Sequence, residues 1–175
     1  MGTIPHWHQP QKEFLLSVAF TKEDSAETAA ETMLPDRPIP AGPNLVTATG
    51  LAALERQLTQ ARAAYDAALL IEDVNERRRQ AANPFRDFRY FTERLRTAQL
   101  VPAPTSNTAV AFGTTVTFSR DDGRVQTYKI VGEDEADPKA GSISYASPIA
   151  RALMGKALGD VVSLGEQELE ITAIS

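Results

Sequence analysis

The sequence predicts an α+β protein, an N-terminal antiparallel α-helical coiled-coil hairpin followed by a small antiparallel sheet carrying one helix. Three observations predict it. Between residues 45 and 100, apolar side chains recur at alternating intervals of three and four, the spacing of a heptad seam. From residue 108 onward, short runs of β-branched and aromatic residues alternate with turn signals. Within that second stretch, "SPIARALMG" carries both the start and the stop signals of one compact helix.

The first 44 residues stand apart from both patterns. They are rich in Thr, Glu, Ala and Pro, with Pro35, Pro38, Pro40 and Pro43 closely spaced. Proline removes a backbone donor and disfavours helix in the residue before it. A poorly ordered arm over residues 1–44 is expected, with Phe14–Phe20 able to dock as a strand or short helix. His6 and His8 flank Trp7, but two histidines without carboxylate support near a terminus read as incidental rather than as a metal site.

Residues 45–101 are expected to form the hairpin. Its first seam is Leu51, Leu54, Leu58, Ala61, Tyr65 and Ala68, with Thr47 or Thr49 as the N-cap. Its second is Phe88, Phe91, Leu95 and Ala98, closing near Val101-Pro102. Two positions compete for the tip. With Gly50 and Ala98 as ends, a turn at Asp73–Glu76 leaves equal arms, as an antiparallel pair requires. Asn83-Pro84 is a strong helix-start signal in its own right, and a turn there would leave the acids on a helical flank.

In the third segment, Val110–Phe118 is a strand, Asp122-Gly123 a two-residue hairpin turn, and Val125–Val131 its return. Ile143 lies in a further short strand. Ser147 suits the N-cap, Pro148 the first helical position and Gly155 the C′ position. Gly159-Asp160 turns into Val161–Leu164, and Leu169–Ile174 alternates to the end.

Charge narrows the partners. The net charge of −5 divides as 3 basic and 6 acidic residues over 1–44, 9 and 7 over 45–100, and 6 and 10 over 101–175. A middle that is only slightly basic argues against free-standing nucleic-acid affinity and for a protein partner. The absence of cysteine excludes disulfides and fits a reducing cytoplasm. No apolar run is long enough to span a bilayer. The run Glu133-Asp134-Glu135 with Asp137 reads as a solvated loop rather than a calcium site. Ser147 reads as a cap rather than a nucleophile, because no histidine follows His8.

"VAFGTTVTFS", "YKIVGEDEADPKAGSISYASPIARALMGKALGDVV" and the terminal strand resemble the C-terminal domain of the bacterial GreA/GreB transcript-cleavage factors, over residues 110–175. "VTATGLAALERQL" and "ERLRTAQLV" resemble the hairpin of the same family more weakly. The resemblance implies an FKBP-like domain over residues 105–175 and a divergent member with a short hairpin. It implies docking on RNA polymerase at the secondary channel, through Ser147, Pro148, Ile149 and Arg151. It also implies a hairpin that enters the channel to modulate backtracking and transcript cleavage. Asp73 and Glu76 reproduce the spacing of the family's tip acids, which assist the polymerase's own catalysis by helping to hold a shared Mg²⁺ there. The chain would need no cofactor and would be no enzyme itself.

Arg77, Arg78 and Arg79 replace a largely neutral stretch of the family pattern. They would meet the acids, the channel floor or nascent RNA within the complex, with room for a weak DNA or RNA contact. Each arm is shorter than the family's by about one heptad, about 10 Å. A non-cleaving polymerase-binding regulator, Rnk-like or resembling the inhibitory Gre homologues, therefore stays open beside a cleavage factor. A hairpin module for another protein partner is the third reading. A cytoplasmic monomer is expected in each case.

Overall fold

The computed structural model describes residues 34–175. The chain runs β1 (Asn44–Val46), α1 (Ala48–Leu69), α2 (Val74–Thr97), β2 (Ala98–Leu100), β3 (Thr115–Arg120) and β4 (Val125–Val131). A 3₁₀ turn (Pro138–Ala140), β5 (Ser142–Ser144), α3 (Pro148–Leu153), β6 (Val161–Leu164) and β7 (Gln167–Ile174) follow. The α+β architecture is as the spacing predicts. Among the described residues no helix is long and apolar enough to cross a membrane.

The hairpin is built from the two predicted seams. On α1, Leu54, Ala61 and Ala68 are buried, while Leu51, Leu58 and Tyr65 are half-buried along the same stripe. Tyr65 meets Phe85 of α2 with ring centroids 5.1 Å apart. Thr47 caps α1, its Oγ1 accepting from Gly50 N at 3.0 Å. The turn spans residues 70–73 between helices of 22 and 24 residues, so the near-equal register holds. Asn83-Pro84 lies inside α2 and does not start it. Pro84 has no N–H to return to the preceding turn, yet the helix continues through it, because the seam on either side keeps both turns packed against α1.

The C-terminal sheet has strand order β5-β4-β3-β7-β6. Three of its pairings are antiparallel, but β4 and β5 are parallel, with Ile130 opposite Ile143. The sheet is therefore mixed at one edge rather than wholly antiparallel. The connection from Gly132 to Gly141 carries the chain back to Lys129, so that β5 runs beside the last three residues of β4, a longer return than a hairpin turn allows. A register shift between Thr117 and Phe118 against β7 keeps Phe118 facing inward. Phe118, Ile130, Leu153, Leu169 and Ile171 form the core with Val110 and Val116. Helix α3 closes it by burying Ala150 and Leu153. Ser147 Oγ accepts from Ala150 N at 3.2 Å, Pro148 sits at the helix start, and Gly155 has φ +79°.

The arm needs a correction. Residues 1–33, with His6, His8 and Phe14–Phe20, lie outside the described residues. Residues 34–44, expected to belong to the same loose arm, lie along α2 instead. Asp36 pairs with Arg89, Arg37 pairs with Asp87 at 3.2 Å, and the Arg37 guanidinium sits 3.7 Å from the centre of the Tyr90 ring. Asn44 Nδ2 donates to Arg94 O at 2.6 Å, after which β1 pairs in parallel with β2. The prolines impose an extended path without backbone donors. That path is held by side chains of α2, a pattern that composition does not reveal.

Candidate functional site: the hairpin tip and the joint at its base

The turn ends at Asp73, whose extended backbone (φ −65°, ψ 122°) and Oδ1 cap α2, accepting from Glu76 N at 2.7 Å. An Asp at the cap with a Glu three residues on is the local chemistry of a helix start. The spacing that suggests paired metal ligands thus also has a structural use. Glu76 is engaged as well: Arg79 Nη2 donates to its Oε2 at 2.5 Å, and Gln80 Nε2 to its Oε1 at 2.8 Å. Those bonds, Gln80's first and Arg79's second, hold the Glu76 carboxyl below its ordinary range. It stays anionic, but both oxygens already have donors from the same helix. Arg77 Nη1 donates to Ile71 O at 3.0 Å and ties the turn to the helix. Arg78 is exposed. Leu70, at 83% exposed, projects from the tip.

The second group of expected site residues lies elsewhere. Ser147 is spent as a cap, Pro148 and Arg151 are exposed, and Ile149 packs partly against the sheet core. The fold places this group on the sheet domain and the acids at the far end of a helix of 22 residues. At 1.5 Å per residue that helix is about 33 Å long. The two groups cannot act on one small molecule. Among the described residues no group of three or more His, Asp or Glu side chains could hold a metal ion.

A third constellation, the joint between hairpin and sheet domain, was not legible as a site. The acidic run 133–135, expected to be a solvated loop, is its centre. Asp134 Oδ2 accepts from Arg94 Nε at 2.5 Å, and Oδ1 accepts from Tyr90 Oη at 2.6 Å. Glu133 Oε2 lies 3.6 Å from Arg94 Nη2 and is otherwise without a hydrogen bond among the described residues. Thr47 Oγ1 donates to Glu135 at 2.6 Å while accepting from Gly50. Arg94 is 1% exposed. Burial and the bond to Asp134 push the Tyr90 phenol up to about 12. The joint is tight enough that a Cβ on Gly132 would stand 2.5 Å from Leu45 O. Asp137 caps the 3₁₀ turn through Lys139 N at 3.1 Å. No local signal marks this joint, because Arg94 and Asp134 lie 40 residues apart in sequence.

The arrangement defines a class: a helical hairpin projected from a small sheet domain, locked at its base and presenting a charged tip. Residues 105–175 match the family model "Transcription elongation factor, GreA/GreB, C-term". It is 48% identical over 88 residues to the transcription elongation factor GreA of Thioalkalivibrio sulfidiphilus (strain HL-EbGR7), a match covering 46% of this chain and 56% of that protein. To the GreA of Legionella pneumophila (strain Corby) it is 53% identical over 74 residues, 39% of this chain and 46% of that protein. The chain thus spans about half the length of the curated relatives it matches. Among solved structures, a GreA/GreB elongation factor from Nitrosomonas europaea is 19% identical over 75% of this chain and 98% of that one, with a TM-score of 0.37.

Proposed function

We propose that this chain binds RNA polymerase at the secondary channel, docking through the face around Ser147, Pro148, Ile149 and Arg151 and directing the hairpin tip inward to modulate backtracking and transcript cleavage. The observation that carries this reading is the GreA/GreB C-terminal domain joined by a buried ionic joint to a hairpin that ends in Asp73 and Glu76. A hard cation takes oxygen ligands. Asp73 keeps Oδ2 available beyond its capping bond, so the tip fits one or two ligands to a polymerase-held Mg²⁺. It does not fit an ion of its own.

One observation favours the non-cleaving regulator. Both oxygens of Glu76 are bound by Arg79 and Gln80, so ligation would first cost that pair. The test is RNA cleavage on stalled elongation complexes of the cognate polymerase. For a cleavage factor, Asp73→Asn with Glu76→Gln lowers cleavage at least about tenfold, the effect of losing roughly 1.4 kcal/mol of transition-state stabilisation, with unchanged competition against a full-length Gre factor. For a regulator, wild type and variant are equally inactive and both compete. Absence of competition by the folded wild-type chain refutes the polymerase reading, and normal cleavage by the double variant refutes the role of the acids.

A further inference from the structure

Residues 34–44 belong neither to the tip nor to the docking face, yet they touch both halves of the molecule. On the hairpin side, Asp36 pairs with Arg89 and Arg37 Nη1 stands 3.2 Å from Asp87 Oδ1. The Arg37 guanidinium also covers the Tyr90 ring and lies 5.1 Å from the centre of Phe91. On the sheet side, Pro43 O accepts from Tyr145 Oη, and a Cβ on Gly42 would stand 3.5 Å from the same hydroxyl. Tyr145 is a firm anchor. Its N donates to Val131 O at 2.9 Å, and its ring packs on the sheet core, edge-on to Phe112 with centroids 5.9 Å apart.

The segment reads "LPDRPIPAGPN", with proline at 35, 38, 40 and 43. A chain so dense in proline is extended and semi-rigid, so holding both of its ends constrains whatever those ends are bound to. Its contacts also meet the joint. Tyr90, covered by Arg37, is the residue whose hydroxyl donates to Asp134. Asn44 donates to the backbone oxygen of Arg94, whose side chain pairs with Asp134.

We propose that residues 34–44 are a fastening laid across the joint, which fixes the orientation of the hairpin relative to the sheet domain. Asp36, Arg37, Asp87 and Arg89 are then positioning residues, acting on the hairpin through α2 rather than on any partner. Their side chains are all at least 36% exposed, whereas that of Arg94 is 1% exposed. The fastening can therefore be undone by exposed substitutions that leave the buried pair in place. Any consequence for polymerase rests on the function proposed above; the orientation itself does not.

The chain has no cysteine, so spin labels go into the full-length protein without other changes. Glu72→Cys in the turn and Glu166→Cys between β6 and β7, both exposed, report the distance across the joint by pulsed electron paramagnetic resonance. Glu72→Cys with Arg56→Cys, exposed on α1, reports the hairpin alone. Asp36→Arg sets two cations together at Arg89 and should free the segment. With the tip at the end of a helix about 33 Å long, a few degrees of added freedom widen the first distribution by about 2 Å or more. The second distribution should not change. Adding Arg89→Asp to Asp36→Arg reverses the pair and should restore the narrow distribution, a rescue that damage to the fold would not allow. Tyr145→Phe keeps the ring on Phe112 and should widen the first distribution from the other end. An unchanged first distribution in Asp36→Arg, widening of both distributions, or no recovery in the reversed pair would each overturn the proposal. No polymerase enters the measurement, so its outcome is independent of the proposed function.

Discussion

Removing one side of the Arg94–Asp134 pair should be far more damaging than removing both. Arg94 is 1% exposed, and its guanidinium has Asp134 at 2.5 Å and Glu133 at 3.6 Å. Asp134→Leu leaves that cation with only the distant Glu133. Arg94→Met leaves Asp134 with one donor, Tyr90, and Glu133 Oε2 with none. An uncompensated buried charge costs about 3–5 kcal/mol, whereas replacing a whole buried pair by apolar groups of similar volume is often near neutral. The residual Glu133 raises the expectation for the double variant to about 1–2 kcal/mol. The coupling is then on the order of 4 kcal/mol or more. Urea unfolding followed by far-ultraviolet circular dichroism measures all four corners of the cycle. Additive losses, or single losses below about 1 kcal/mol, would mean that the joint is not held by this pair.

The other expectations concern the same joint. Gly132→Ala drives a methyl into Leu45 O, a backbone atom, and should lower stability by about 1–3 kcal/mol; an unchanged urea midpoint would contradict it. Thr47→Asp supplies a good cap in general but sets a carboxylate against Glu135, so it should destabilise where Thr47→Ser does not, read in the same titration. Tyr90 is raised from 10.0 to about 12. The unfolded chain therefore loses its proton first, and stability present below pH 10 should fall as pH rises toward 12. For a phenol only partly buried the loss is at most about 2 kcal/mol, and Tyr90→Phe should flatten that slope in alkaline unfolding curves.

The hairpin and most of the sheet were legible because their signals are local. Leu54, Ala61 and Ala68 announce a buried stripe by spacing alone, and Ser147-Pro148 announces a helix start without any tertiary contact. Asn83-Pro84 carries a local signal just as strong, yet packing on both sides overrides it. The joint was illegible for the opposite reason. Arg94 and Asp134 are separated by 40 residues in sequence, and nothing near either one marks its charge as buried. An acidic triplet looks the same whether it faces water or an arginine. The parallel pairing of β4 and β5 depends in the same way on how the connection from Gly132 to Gly141 folds back. The tip acids were singled out by resemblance to the family's tip pattern, which could not reveal that Asp73 caps the helix and that Glu76 is held by Arg79 and Gln80.

The three consecutive acids of the joint grip different parts of the hairpin: Glu135 holds the start of α1 through Thr47, while Asp134 and Glu133 hold α2 through Tyr90 and Arg94. Seen mechanically, the hairpin is a lever about 33 Å long, pivoted there. One degree of rotation at the pivot sweeps the tip through about 0.6 Å over that length. Metal ligation tolerates only tenths of an ångström, so for the proposed tip role the aim of Asp73 would be set by the stiffness of residues 133–135 at the other end of the lever.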